Sequence, residues 1–360
     1  MLSLIGVAIS WGLARQARRL VAWHVLAAFG AAGGLLFALF AAMVVTGRTF
    51  GGFGLIRLAY FFVIAACAGM ISIVCFSRFT RGASRGATVL AGLAVAVLAL
   101  CVYVSWIEPY RLRVERVAVP LTNHPPRVEP LRVVVIADIQ TDSVTAYEHR
   151  AVQLALAQQP DLVVLPGDFF QGSDAQWQQQ RRAWRDLFAP LRAPGGVYAC
   201  LGNIDPEHRA AELFAGTEVR LLRNDVAETI VRGRRVAIGG VDWHYDALEA
   251  RAARARLATC DADVRILLAH TPDAALDAAA PRVDLVISGH THGGQIVVPG
   301  VGPPLTFARV PRHVAAGGLH ALNGQALYVS RGVGFERGVA PPMRFWCPPE
   351  LTLLEFGAIE

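Results

Sequence analysis

The residues best suited to chemistry lie in one short stretch, Gly289-His290-Thr291-His292-Gly293-Gly294-Gln295. His290 and His292 stand two positions apart in a glycine-rich turn that follows the apolar run Val283–Ile287. Neutral imidazole is the commonest metal ligand in proteins near neutral pH. In an extended segment alternate side chains point the same way, so both imidazoles could face one metal ion. Two solvated histidines are the alternative, and the spacing favours metal binding over it.

Polar side chains also follow other apolar runs that predict buried strands. These pairs are Asp138 after Arg132–Ala137, Asp168 after Asp161–Leu165, Asn203 after Gly196–Leu201, and His270 after Val264–Ala269. In open α/β sheets, ligands bind in the crevice at the carboxyl ends of the strands. A single such residue could close a turn or cap a helix, but six at successive strand ends predict one site.

The donor atoms of this set indicate the metal and the reaction. Two carboxylates, one amide oxygen and three imidazoles form a mixed oxygen and nitrogen set, which suits Mn, Fe, Zn or Co better than Ca or Mg alone. Asp168 could bridge two ions. Two metal ions about 3.5–4 Å apart can clamp a phosphate and lower the pKa of a shared water. The set therefore indicates a metal site whose chemistry could act on a phosphate.

The elements that must position these residues alternate between strands and helices. Helical patterns cover Tyr147–Gln158, the aromatic segment Trp177–Phe188 and Ala247–Ala258. Further strand-like runs are Val219–Leu222, Arg235–Gly240, Gln295–Val298, Ala326–Ser330 and Leu351–Glu355. This alternation, followed by a strand-rich tail, predicts an α/β sandwich in which helices cover the sheets.

Taken in order, the motifs resemble those of the calcineurin-like metallophosphoesterases, in particular their bacterial membrane-anchored branch. The family pattern is Asp-x-His, Gly-Asp, Gly-Asn-His-Asp/Glu, a lone His and Gly-His-x-His. The matching segments here are Asp138-Ile139-Gln140, Gly167-Asp168, Gly202-Asn203-Ile204-Asp205, His270, Gly289-His290-Thr291-His292 and the later branch-like segment Tyr328–Gly334. The resemblance covers residues 130–356 and implies two sheets flanked by helices around two divalent ions.

The resemblance also implies which residues hold each ion. The implied ligands of the first ion are Asp138, Asp168, His292 and, where the family has a histidine, Gln140. The implied ligands of the second ion are Asp168, Asn203, His270 and His290, and this set matches the family throughout. Gln140 offers only a carbonyl oxygen or an amide N–H, so the first ion is expected to bind more weakly.

A second departure concerns proton transfer. Ile204 occupies the position of the family histidine that contacts the substrate phosphate and protonates the leaving group. General acid catalysis typically contributes about 10²–10⁴-fold, so its loss leaves three alternatives. The leaving group could already be acidic, as in a pyrophosphate or nucleotide linkage. Another side chain could donate the proton, the candidates being Asp205, Asp142, His208 and His244. The domain could also be a metal-binding pseudoenzyme or sensor with little turnover.

The first 107 residues are predicted to lie in a membrane, because the chain is 54% hydrophobic and this region holds long apolar stretches. Three stretches are long enough to span a bilayer and a shorter one precedes them: Leu20–Thr46, Leu58–Ser77, Ala87–Ile107 and Leu2–Ala14. The predicted organisation is a transmembrane region of three or four spans over 1–107, a proline-containing juxtamembrane linker over 108–130 and the metallophosphoesterase domain over 131–360.

Arginine placement predicts the orientation, since cytoplasmic loops carry an excess of positive charge. Arginines cluster before the first strong span and between the second and third, whereas the intervening loop holds only Arg48 and Arg57. We therefore expect a multi-pass inner-membrane protein with a periplasmic catalytic domain that acts on a phosphorylated small molecule or lipid. No nucleic-acid-binding motif is present, so a nucleic acid partner is not expected. The near absence of ionisable residues in the spans also argues against a transporter.

Overall fold

The computed structural model describes residues 52–81, 85–121, 129–277, 280–337 and 340–357. Within these ranges, the residues before 108, together with 337 and 340–342, form one compact unit, and the rest form a second. The predicted spans Leu20–Thr46 and Leu2–Ala14 lie outside the described residues.

The first unit contains two apolar helices, α1 (Gly52–Arg81) and α2 (Arg85–Val102), the second continued by a π-helical turn over Tyr103–Ile107. Both coincide with predicted spans. Of the helices described, the one from Arg85 to Tyr110 is long and apolar enough to cross a membrane, and Ala59–Cys75 is a shorter apolar helix. The helical structure of these two segments is confirmed, and their insertion in a membrane stays a prediction.

The second unit contains two six-stranded sheets in its described residues. Its strands are β1 (Arg113–Val119), β2 (Leu131–Val135), β3 (Leu162–Leu165), β4 (Val197–Ala199), β5 (Val219–Leu221), β6 (Asp225–Val231), β7 (Arg234–Val241), β8 (Val264–Ala269), β9 (Leu285–Ser288), β10 (Gly318–Leu322), β11 (Gln325–Val329) and β12 (Glu350–Phe356). Its helices are α3 (Ala146–Ala157), α4 (Asp174–Phe188), α5 (Glu207–Leu213), α6 (Leu248–Thr259) and α7 (Arg312–Ala315).

The strand order brings the carboxyl ends of the central strands to one edge of each sheet. The first sheet has the order β1-β12-β2-β3-β4-β5, and β2 to β5 run parallel. The second has the order β10-β11-β9-β8-β7-β6, and β7, β8, β9 and β11 run parallel. Strand β12 is antiparallel to β2, and β10 and β6 are antiparallel edge strands.

Most side chains on both faces of the central strands are buried, so these strands are predominantly apolar rather than alternating. In β2, Val133 packs in one core cluster with Ile266 of the second sheet. Its neighbour Val134 points the other way, into a cluster with Trp184 of α4. Ala253 of α6 belongs to a third cluster, on the outer face of the second sheet. The layers are therefore helix, sheet, sheet, helix, and the predicted α/β sandwich is confirmed.

Two sequence-based predictions of local structure were wrong. Residues 113–119, predicted to belong to the linker, form β1, which pairs parallel with β12 from Arg113↔Glu350 to Val119↔Phe356. Charged side chains suit this strand because it lies at a sheet edge, where charge discourages pairing with other chains. The predicted strand Gln295–Val298 forms only isolated bridges, Ile296 with Phe345 and Val298 with Gly302, because the chain turns back on itself there.

Candidate metal centre

The predicted site residues lie at the carboxyl ends of five strands, three from the first sheet and two from the second. Asp138, Asp168 and Asn203 follow β2, β3 and β4, whereas His270 follows β8 and both His290 and His292 follow β9. Direct contacts join the two sheets at this edge. The backbone N–H of His290 donates to Asp138 Oδ1 at 2.9 Å, and His270 Nε2 lies 3.2 Å from Asp168 Oδ2.

The fold places the residues implied for the second ion close together. Asp168, His270 and His290 each offer one potential ligand atom, and these atoms all lie within 4.8 Å of one another. Asn203 Oδ1 lies 3.2 Å from His270 Nε2. Burial and the nearby His270 lower the pKa of His290 to about 4, so this imidazole is neutral near pH 7. A neutral imidazole retains the lone pair that a metal needs.

The surroundings of His270 are those of a cation site. Its Nδ1 lies 2.7 Å from the Pro166 carbonyl and donates to it, which leaves Nε2 facing the oxygens of Asp168 and Asn203, both at 3.2 Å. Burial acts to lower the pKa of His270, but the Asp168 carboxylate outweighs it and the pKa rises to about 9. The place between these oxygens and Nε2 therefore suits a positive charge, which a proton or a divalent metal could supply.

The set implied for the first ion holds three orphaned atoms. Asp138 Oδ2, Gln140 Oε1 and His292 Nδ1 are buried, and none has a hydrogen-bond partner in the part of the chain that the structure describes. A buried polar group without a partner costs about 1–3 kcal/mol, so three in one set call for a ligand. Burial raises the pKa of Asp138 to about 7, as expected of a carboxylate without a counter-ion. The donor chemistry of this set therefore suits a divalent ion, although Asp138, Asp168 and His292 do not form a cluster as close as that of Asp168, His270 and His290 among the described residues.

The double-histidine segment is a turn, so the extended geometry predicted for it was wrong. His290 has φ +70° and His292 has φ +49°, and His292–Gly294 is a 3₁₀ turn. Positive φ recurs at Asp138, Gln140 and Asp168. Such values are uncommon outside glycine, and strained backbone of this kind clusters at functional sites. The imidazoles are therefore positioned by left-handed turns and not by strand alternation.

Two glycines allow the close approach of these turns. A Cβ at Gly289 would collide with Asp138 Oδ2, and a Cβ at Gly202 would collide with Asp168 Oδ1. Each glycine belongs to a loop that carries a different predicted ligand. Side chains at either position would push apart carboxylates and loops that the site needs together.

Ile204 lies beside the carboxylate common to both ligand sets. Its backbone N–H donates to Asp168 Oδ1 at 3.2 Å, and its half-buried side chain has no proton to give. The alternative donor Asp205 accepts three backbone N–H bonds, from Asp168 and Gly202 to Oδ2 and from Phe169 to Oδ1, at 2.7–2.8 Å. Burial raises the pKa of Asp205 to about 6. These contacts indicate a carboxylate that holds two loops together instead of facing a substrate.

The three other candidate proton donors differ from Asp205 in their burial and contacts. His208 and His244 are exposed, and Asp142 is half-buried and contacts Ser143 and Gln176.

Two residues near the site were missed by sequence reasoning. The ring of Trp243 lies 5.0 Å from that of His290 and 5.9 Å from that of His270. It could have been found, because it follows the carboxyl end of β7 as the predicted ligands follow their strands. Arg344 is fully buried and donates to the carbonyls of Arg331, Gly334, Cys347 and His292. No local pattern distinguishes it from a surface arginine.

An α/β sandwich with carboxylates and imidazoles converging at its strand ends defines a metal-dependent hydrolase. Residues 131–294 match the family described as calcineurin-like phosphoesterase. The chain is 30% identical to the Escherichia coli "Phosphodiesterase YaeI" over 236 residues, which are 63% of this chain and 82% of the relative. It is 28% identical to the Bacillus subtilis "Uncharacterized metallophosphoesterase YkuE", over 70% of this chain and 87% of the relative.

A vertebrate relative extends the similarity. The Danio rerio "Transmembrane protein with metallophosphoesterase domain" is 31% identical over 74% of this chain and 61% of its own length. The chain thus belongs to the calcineurin-like phosphoesterase family and is a metal-dependent phosphoester hydrolase. The family predicted from the motifs is confirmed, and with it the use of divalent metal.

Proposed function

We propose that this protein is a membrane-anchored phosphoesterase that hydrolyses a phosphodiester or pyrophosphate with an acidic leaving group, in a lipid or envelope precursor. Two divalent ions, drawn from Mn, Fe, Zn and Co, would be held by the seven predicted ligands. The observation that carries the proposal is the pairing of a complete second-ion set with an isoleucine at position 204. That pairing keeps metal chemistry and removes the usual proton donor.

Three of the predicted ligand residues have contacts that suit their proposed roles. When bound, the divalent metal lowers the pKa of water and stabilises negative charge on phosphoryl oxygens. Asp168 is the residue that both sets share. His270 is oriented by its bond to Pro166. His290 Nε2 lies 3.4 Å from the Phe307 carbonyl, so that nitrogen can donate there while Nδ1 keeps its lone pair. Such outer contacts fix the tautomer and orientation of a ligating imidazole.

An acidic leaving group is proposed because the side chain at position 204 cannot donate a proton. An alkoxide needs a proton as it departs, whereas a nitrophenolate or a nucleotide phosphate does not. The Ile204 side chain has no proton to donate, and the carboxylate of Asp205 already accepts three hydrogen bonds from backbone N–H groups. A pyrophosphate linkage in a lipid-linked sugar nucleotide meets this requirement.

The test is a series of diesters that differ in the pKa of the leaving group, assayed with purified protein loaded with Mn²⁺. We expect clear turnover of bis-p-nitrophenyl phosphate and of a lipid-linked pyrophosphate, and very slow turnover of alkyl esters. Equal rates across the series would contradict the role given to Ile204. Failure of the fully metal-loaded protein to cleave any activated ester, while it still binds phosphate compounds, would favour the pseudoenzyme.

Membrane anchoring is supported by exposed apolar side chains on α2. Val89, Leu93 and Val95 are each more than half exposed, and large exposed apolar surfaces mark membrane or protein contacts. The name of the Danio rerio relative agrees with this. The arginine distribution favours a multi-pass inner-membrane protein with a periplasmic catalytic domain.

Reporter fusions test this orientation. A reporter active only in the periplasm should be active when fused after Glu360 and silent when fused after Arg81, in the predicted cytoplasmic loop. The reverse pattern would place the catalytic domain in the cytoplasm and exclude periplasmic substrates.

A further inference from the structure

The Gln140 side chain forms a hydrogen bond with the carboxylate of Glu336. The Nε2 atom of Gln140 donates to Glu336 Oε2 at 2.7 Å, across 196 residues of sequence. We infer that Glu336 is a positioning residue that turns the carbonyl oxygen of Gln140 toward the first ion and thereby selects an oxygen-preferring metal there. The inference rests on the first-ion ligand set of the proposed function.

The chemistry of the pair decides which way the amide points. An ionised carboxylate only accepts hydrogen bonds, and in the amide group only the NH₂ donates them. Glu336 can therefore face the NH₂ of Gln140 and not its oxygen. Because Nε2 and Oε1 lie on opposite sides of the amide, the contact with Glu336 sends Oε1 the other way.

The atom that this contact directs away from Glu336 is Oε1 of Gln140, which is buried and unpaired among the residues described. Gln140 is 1% exposed. Asp138 Oδ2 and His292 Nδ1, on two of the other three residues of this set, also have no hydrogen-bond partner among the residues described. The backbone N–H of Gln140 also donates to the carbonyl of Asp168 at 3.0 Å, which fixes its loop against the shared ligand. A glutamine held in this way presents a preformed oxygen ligand.

Glu336 is itself fixed by the loops around the site. Its Oε1 accepts from Gln171 Nε2 at 2.8 Å, on the segment that follows Asp168. Its backbone N–H donates to Oε1 of Gln295, at the end of the double-histidine segment. Glu336 therefore connects the loops after β2, β3 and β9. Outer-shell partners of this kind typically change metal affinity by about 10–100-fold when removed.

The consequence is a change in metal preference at the first ion. With Gln140 bound through oxygen, this set offers three oxygen donors and the single imidazole of His292. Carboxylate and carbonyl oxygens suit Mn²⁺ and Mg²⁺, whereas imidazole suits Zn²⁺. The second set has two imidazoles, so it should bind Zn²⁺ more readily than the first set does. The two positions should then differ in the metal that they select.

The experiment is a metal titration of the full-length protein in detergent, stripped of metal and then titrated with Mn²⁺ alone and Zn²⁺ alone. In Glu336→Ala we expect the affinity of the weaker, first site for Mn²⁺ to fall about tenfold. The affinity of the tighter, second site should not change. Affinity for Zn²⁺ should fall less. Glu249→Ala is the matched control, since it removes an exposed glutamate on α6, and it should change either affinity by less than about twofold.

A double-mutant cycle separates positioning from a general effect on structure. In a Gln140→Ala background, Glu336→Ala should cost no further Mn²⁺ affinity, because no amide remains to be oriented. The isosteric Glu336→Gln, whose amide can face Gln140 either way, should lose less than Glu336→Ala. An undiminished loss in the Gln140→Ala background, or wild-type affinities in Glu336→Ala, would overturn the inference. A wild-type protein that binds only one ion would instead overturn the two-ion proposal itself.

Discussion

The two halves of the metal site differ in how much of the family pattern they keep. The second-ion half is complete, and its ligands from both sheets approach one another directly, as in the 3.2 Å contact of His270 with Asp168. The first-ion half has a glutamine in place of an imidazole, and Glu336 holds that glutamine from behind. Position 204, next to Asn203 of the second-ion set, holds an isoleucine where the family has a histidine. The proposed function therefore relies on metal-activated water and on a leaving group that needs no proton.

The largest expected effect comes from the residue that both halves share. Asp168→Asn should reduce hydrolysis of activated esters by at least about 10³-fold, because it removes negative charge from both predicted ions at once. Rates with bis-p-nitrophenyl phosphate at saturating Mn²⁺ would show this.

The matched control is Asp186→Asn, which alters an exposed aspartate on α4. It should retain wild-type rates. Substantial activity in a folded, metal-loaded Asp168→Asn protein would show that the two halves do not depend on this carboxylate.

The halves should next differ in how tightly they retain metal. After extensive dialysis we expect about one to two ions per chain, because the oxygen-substituted first set binds more weakly than the complete second set. His290→Ala should therefore remove more metal than Gln140→Ala, as measured by elemental analysis.

Folding must be verified in both variants by circular dichroism. His208→Ala, at an exposed histidine, serves as the control and should keep the wild-type metal content. Two ions that resist dialysis equally in the wild-type protein, or greater metal loss in Gln140→Ala, would reverse the ranking of the two halves.

The smallest effect is expected at position 204. Ile204→His should accelerate hydrolysis of esters with poor, alkyl leaving groups by about tenfold or more, because it restores a proton donor beside Asp168. Its effect on nitrophenyl esters should be small, so the dependence of the rate on leaving-group pKa becomes flatter. Ile204→Leu adds no proton donor and should retain the steep dependence. An unchanged slope in Ile204→His would show that this position does not govern the leaving group.

Local patterns in the sequence were sufficient for most of the architecture. Predominantly apolar runs such as Val264–Ala269 identified buried strands because a strand covered on both faces carries few polar side chains. Asp168, His270 and His290 could be grouped because parallel strands deliver their carboxyl ends to one edge. Both inferences depend on residues within one element and on a general rule of sheet topology. The sequence itself therefore determined the fold class and the grouping of Asp168, His270 and His290 at one edge.

Tertiary structure decided what depends on distant partners. Strand β1 exists because β12, more than 200 residues later, supplies its backbone hydrogen bonds. The left-handed turns at His290 and His292 require contacts with other loops, so no period in the sequence reveals them. Glu336 orients an amide 196 residues away. Since a buried polar group is defined by its partner, residues of this kind look like solvated surface positions until the chain has folded.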